Sequence, residues 1–73
     1  MPQLPIVSGK ELVKILSSAG YKVVRQRGSH MRLSCGGRKS VTVPNYKSID
    51  RSLLVKILRD AELSAEEFIK LAS

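Results

Sequence analysis

Residues 30–44 read HMRLSCGGRKSVTVP, and the period of this stretch decides the fold. Met31, Leu33 and Cys35 alternate with His30, Arg32 and Ser34, and later Val41 and Val43 alternate with Ser40 and Thr42. Both runs are therefore strands with one apolar and one polar face. Facing residues of a hairpin share a face, which tests the register. A two-residue turn at Gly36-Gly37 sets Leu33 against Ser40 and mixes the faces. A three-residue loop, Gly36-Gly37-Arg38, sets Leu33 against Val41 and Met31 against Val43, with a glycine taking the unusual backbone angles. We prefer that loop. A helix layer must then cover the apolar side and leave His30 and Arg32 on the open one.

Upstream, a further strand starts near Tyr21 and runs into Arg25-Gln26-Arg27-Gly28-Ser29-His30. A two-residue Arg27-Gly28 turn pairs Val24 with Met31 and puts Arg25 across from His30. A slip of one pairs Val23 with Leu33 and puts Gln26 beside His30. The first register is favoured because glycine at the second turn position suits a mirror-image turn. It leaves Tyr21 and Val23 on the open face, in need of partners.

Helical signals flank this sheet. Ser8-Gly9-Lys10-Glu11 has the spacing of a capping box, Val7 and Leu12 that of a hydrophobic staple, and Leu12, Ile15, Leu16 and Ala19 repeat at helical intervals up to Gly20, a left-handed terminator. A first helix over about Gly9 to Ala19 follows. After Pro44 and a loop at Asn45-Tyr46-Lys47-Ser48, the spacing of Leu53, Leu54, Ile57, Leu58 and Ala61 predicts a second helix capped by Asp50. Ser64-Ala65-Glu66-Glu67, with Leu63 and Phe68 as its staple, opens a third that ends near Leu71. Met1 to Pro5 forms a short lead-in. The expected fold is α+β, a single domain over 1–73 in the order αβββαα.

At 73 residues the chain buries roughly 60% of its unfolded surface, with no room for a second core. Its net charge of +7 points to a nucleic acid, an anionic surface or an acidic protein partner. Twelve of the thirteen basic residues lie in 1–60 against three of the six acids, and Gly20 to Lys47 holds seven Lys or Arg and no acid. That partition favours one polyanion-binding face. Cys35 is the only cysteine, which excludes an internal disulfide, points to a reducing compartment and fits a packing role. The longest aliphatic run, Leu53-Leu54-Val55, is far short of a membrane span, so a soluble cytoplasmic protein is expected.

A helix, a three-stranded meander and a closing helix in about 70 residues resemble the double-stranded-RNA-binding domain (dsRBD-like) topology. At residue level, Gly28-Ser29-His30, Val41-Thr42-Val43-Pro44, Ile49-Asp50-Arg51 leading into Leu53-Leu54-Val55-Lys56-Ile57-Leu58, and the Leu63 to Phe68 tail resemble the HicA (YcfA-like) toxin family over nearly the whole chain. The resemblance implies a small bacterial endoribonuclease that cleaves mRNA without a metal and is silenced by a HicB antitoxin. It also implies that the histidine of the Gly-Ser-His string, His30, is catalytic. The chain departs from the family pattern at Tyr46, where a second histidine is common, and at Ser52-Leu53, where Gly-Thr often opens the helix.

The residues give this chemistry a physical basis. RNA carries its own nucleophile in the 2′-hydroxyl, so cleavage needs a base near it, charge stabilisation at phosphorus and a proton for the departing 5′-oxygen. Histidine is the side chain suited to either proton transfer near neutral pH. Arg25, Arg27 and Arg32 are placed to bracket the phosphate, and Gly28, Ser29 and Lys47 complete the candidate RNA-binding set. No cofactor or metal is expected, since magnesium sites need convergent carboxylates and none lies between Gly20 and Lys47. A Ser-His-Asp arrangement is disfavoured because adjacent strand residues such as Ser29 and His30 face opposite sides. The main competing reading is a non-catalytic RNA-binding module using the same face. A helix-turn-helix DNA reader built from the last two helices is weaker, because Glu66 and Glu67 would sit where base contacts are made.

Overall fold

The computed structural model describes residues 4–72, so the first three residues of the expected lead-in lie outside it. The elements run α1 (Gly9–Ser18), β1 (Lys22–Arg27), β2 (His30–Ser34), β3 (Val41–Pro44), α2 (Arg51–Asp60) and α3 (Ala65–Ala72). The strands form one antiparallel sheet in the order β1-β2-β3. This is the αβββαα arrangement expected from the sequence.

Each helix starts where a side chain satisfies an orphan amide. At α1 the Ser8 hydroxyl accepts from the Glu11 amide at 3.1 Å, and the Glu11 carboxylate accepts from the Ser8 amide at 2.9 Å. Ser64 and Glu67 repeat this pair ahead of α3, at the same two distances. Asp50 caps α2 by accepting from the Leu53 amide at 3.2 Å. The hydrogen bonds hold the Glu11 and Glu67 carboxyls below the usual glutamate range, mainly through the serine backbone amides and secondarily through the serine hydroxyls.

Helices α1 and α2 end alike but on different residues. Past α1 the Gly20 and Tyr21 amides donate back to the Ser17 and Leu16 carbonyls, with Gly20 in the left-handed region. Past α2 the Glu62 and Leu63 amides donate to the Arg59 and Leu58 carbonyls, and here the left-handed residue is Glu62, at φ 58°. A side chain in that conformation is strained, and nothing in the periodicity of α2 announces it.

The sheet is one-sided. Met31, Leu33, Val41 and Val43 are buried beneath the helices, while His30, Arg32 and Thr42 are exposed on the other face. Helix α1 packs on β1, β3 and α3, and α2 packs on β3. The core joins these strand residues to Leu12, Leu16, Leu54, Ile57, Leu58 and Phe68, and among the described residues no polar or charged residue is buried with them. Each such side chain contributes about 1.5–3 kcal/mol relative to exposure. Cys35 is half-buried against the core's margin.

The second hairpin has the register argued from face-matching, Leu33 opposite Val41 and Met31 opposite Val43. Its ladder ends sooner than the three-residue loop implied. A turn closes from the Arg38 amide to the Cys35 carbonyl, with Gly37 at φ 82°.

At its tip the first hairpin differs from both registers weighed above, although the Val23–Leu33 pair of the second is present further along. Arg27 faces His30 and Gln26 faces Met31 across a Gly28-Ser29 turn. Gly28, at φ 59°, occupies the first central position, where a mirror-image turn also demands a left-handed residue. Ser29 thus sits in the turn rather than on a strand. Beyond Arg25, opposite Arg32, the register shifts so that Val23 faces Leu33 and Lys22 faces Ser34. Val24 is the extra residue of a bulge, and the bulge reconciles a sequence that does not alternate with a sheet that must.

Tyr21 is therefore not on the open face. It precedes β1, is 2% exposed in the core, and its hydroxyl donates to the Lys39 carbonyl at 2.8 Å. Burial pushes its hydroxyl above the usual tyrosine range. β1 itself is exposed along its whole length, since the helices pack chiefly over the β3 side of the sheet and only α1 touches β1.

Candidate nucleic-acid interface

The open face of the sheet is built row by row. Arg27, His30 and Pro44 form the first row, Arg25, Arg32 and Thr42 the second, and Lys22 and Ser34 the third. Four cations thus share a surface with the chain's only histidine, and no Asp or Glu occurs anywhere from β1 through β3. Arg25 directly faces Arg32, a like-charged cross-strand pair that repels unless an anion lies between or over it. The face concentrates positive charge with no acid on its strands to offset it.

His30 opens β2 immediately after the Gly28-Ser29 turn, and the loop that follows β3 holds that turn in place. The Ser29 carbonyl accepts from the Asn45 amide at 2.6 Å, and the Tyr46 carbonyl accepts from the Gly9 amide at 2.8 Å. The loop after β3 is thereby fastened to the hairpin tip on one side and to the start of α1 on the other. Close approach makes the second fastening possible: a β-carbon at Gly9 would meet the Asn45 Cα at 2.8 Å and the Pro44 carbonyl carbon at 3.0 Å.

A groove of about 370 Å³ runs between the outer edge of β3 and α2, and His30 is on its rim. Arg32 is there too, its guanidinium donating to the Thr42 hydroxyl at 3.2 Å and so directed toward β3. Two residues that periodicity did not mark join them. Tyr46, 49% exposed, comes from the loop after β3, and Lys56 comes from the exposed face of α2. The floor is apolar, formed by Val41, Pro44, Leu53 and Ile57, and Asp60 is the groove's one acid.

The candidates from sequence divide accordingly. His30 and Arg32 line the groove, whereas Arg25 and Arg27 lie beside it on the same open face. Gly28 and Ser29 form the adjoining turn, and both are exposed. Lys47 is placed apart, in a smaller hollow of about 290 Å³ with Ser8, Lys10, Asn45 and Tyr46. Lys56 was missed because only the packing of α2 on β3 places it in the groove that His30 lines. No local pattern encodes that packing. Among the described residues no group of three or more His, Cys, Asp or Glu is placed to hold a metal ion, and no helix is long and apolar enough to cross a membrane.

A family model described as "HicA toxin of bacterial toxin-antitoxin" matches residues 9–63. That span takes in α1 through α2, His30 and every residue of the groove, and stops short of α3. No curated protein and no solved structure matches the chain significantly.

Proposed function

Because this chain belongs to the HicA toxin family, the toxins of bacterial toxin-antitoxin systems whose partners are HicB antitoxins, we propose that it is an endoribonuclease that cleaves mRNA with His30 as its one imidazole acid or base. The observation that carries the reading is the position of His30. It is exposed on an acid-free cationic sheet face, at the rim of a groove, rather than packed beneath the helices.

On this reading the strand lies across the open face with a phosphate between His30 and Arg32. The imidazole takes the proton of the 2′-hydroxyl or supplies one to the departing 5′-oxygen, and water serves the other transfer. Arg32, with Arg25 and Arg27 beside it, stabilises the charge that builds on the phosphoryl oxygens. No step calls for a metal. One positioned imidazole contributes about 10²–10⁴-fold, so the enzyme is slow, which suffices for a toxin. The antitoxin silences it by covering His30 and offsetting the local positive field with acidic groups, and the site of action is the cytoplasm, where mRNA is translated.

The test is incubation of the pure protein with labelled single-stranded RNA in EDTA, beside His30→Ala. Cleavage by the wild type, a loss of at least about 10²-fold in the variant, and unchanged circular dichroism and RNA affinity are expected. Intact RNA after hours at high protein concentration would leave a non-catalytic RNA-binding module instead. An antitoxin footprint confined to the helical side would contradict occlusion of His30.

A further inference from the structure

The groove offers more than a place for a phosphate beside His30. Its two walls come from different elements and each carries a cation, Arg32 on the sheet side and Lys56 on α2. Between them the floor of Val41, Pro44, Leu53 and Ile57 is apolar, and the exposed ring of Tyr46 is part of the same lining. An apolar floor, an aromatic ring and cations at the rim match the parts of one nucleotide: ribose, base and phosphate.

The direction of α2 sets where each contact falls. Arg38, just ahead of β3, donates from its guanidinium to the Ala61 carbonyl at the end of α2, at 3.0 Å. Helix α2 therefore runs antiparallel to β3, with Leu53 toward the Pro44 and Tyr46 end and Asp60 toward the Ser40 end. Lys56, one turn on from Leu53, lies between the Pro44 end and Asp60, which repels phosphate from the Ser40 end. The Lys56 side chain makes no hydrogen bond or ion pair within the described structure, although Asp60 is four residues away. Its ammonium is free for a ligand.

We propose that this groove takes one unstacked nucleotide of single-stranded RNA, with Lys56 on its phosphate and Tyr46 stacked on its base. This deepens the nuclease reading by moving the clamp from the β1 arginines to α2. A groove of about 370 Å³ has room for one nucleotide. The proposal rests on the nuclease reading for its purpose, but it concerns binding and is tested by binding.

The probe is a fluorescein-labelled, fully 2′-O-methylated single-stranded oligonucleotide, which cannot be cleaved, titrated by anisotropy at several salt concentrations. Lys56→Gln is expected to weaken binding about threefold to fivefold and to lower the logarithmic salt slope by about 0.7, one phosphate contact. Lys56→Arg should keep both. Lys14→Gln removes the same charge from α1, beside α3 and away from the sheet face, and should shift binding by less than about twofold. Tyr46→Ala should weaken binding about tenfold while Tyr46→Phe does not, since the ring and not the hydroxyl stacks. Lys56→Gln behaving like Lys14→Gln overturns the phosphate contact, and Tyr46→Phe failing as badly as Tyr46→Ala overturns stacking. A wild type that binds the probe with these variant effects yet leaves unmodified RNA intact refutes the nuclease reading and supports the cleft.

Discussion

Gly9→Ala isolates the contact that holds the groove's loop in place. Gly9 is the first residue of α1, and a β-carbon there would lie 2.8 Å from the Asn45 Cα and 3.0 Å from the Pro44 carbonyl carbon, with the Pro44 oxygen nearer still. All three are backbone atoms, so no rotamer change makes room. Ordinary carbon contacts need about 3.5 Å, and the still closer Pro44 oxygen sets the larger demand, so α1 and the loop must part by about an ångström. Overpacking of this kind costs about 1–3 kcal/mol, and the better helix propensity of alanine returns at most about 1 kcal/mol. A net loss of about 1–2 kcal/mol lowers Tm by roughly 5–15 °C in a domain of this size. The assay is thermal and urea unfolding beside Gly36→Ala, whose β-carbon meets nothing within 4 Å and whose φ is not positive. That control should be neutral or slightly stabilising. Gly9→Ala should also reduce RNA cleavage beyond its unfolded fraction, because the Gly9 to Tyr46 hydrogen bond lengthens and Tyr46 moves away from His30. A Gly9→Ala protein as stable as the Gly36→Ala one would refute the close-packing argument.

Glu62→Gly should stabilise the protein by about 0.5–1 kcal/mol, since it relieves a left-handed side chain at the end of α2 at some expense in unfolded-state entropy, and a lower urea midpoint would contradict this. Tyr21→Phe should lose about 1 kcal/mol with its hydrogen bond to Lys39, read as a fall in urea midpoint at pH 7. Because the Tyr21 value is raised in the folded protein, its stabilisation is complete below about pH 10 and lost as pH climbs through the folded value, so the phenylalanine variant should show a flatter alkaline limb. Glu11 and Glu67 are depressed, and their share of stability is present above about pH 4.3 and lost as pH falls through the folded values. The Glu11→Gln, Glu67→Gln double variant should therefore unfold less steeply on acidification; acid titrations parallel to wild type would sink that assignment.

Local chemistry determined a great deal of this protein. The two capping boxes, the Asp50 cap, the helix spans and the faces of β2 and β3 are each written in residues within a few positions of one another, and each is formed as the pattern demands. His30 and Arg32 could be assigned to the open face for the same reason, because strand alternation is a local rule.

Tertiary structure decided the rest. The Val23-Val24 pair does not alternate, so the place of the bulge, and with it the burial of Tyr21, follows from fitting Lys22 and Arg25 onto one face of a finished sheet. The turn shifted to Gly28-Ser29 because Ser29 also answers Asn45, a residue sixteen positions away. Lys56 shares a groove with His30 only because α2 lies antiparallel along β3, while Tyr46 is set in that groove, and Lys47 outside it, by the binding of the Asn45-Tyr46 backbone to the hairpin tip and α1. A periodic pattern states which side a residue faces. Which residues of other elements meet it there is set by packing, whose partners are distant in the chain and carry no local mark.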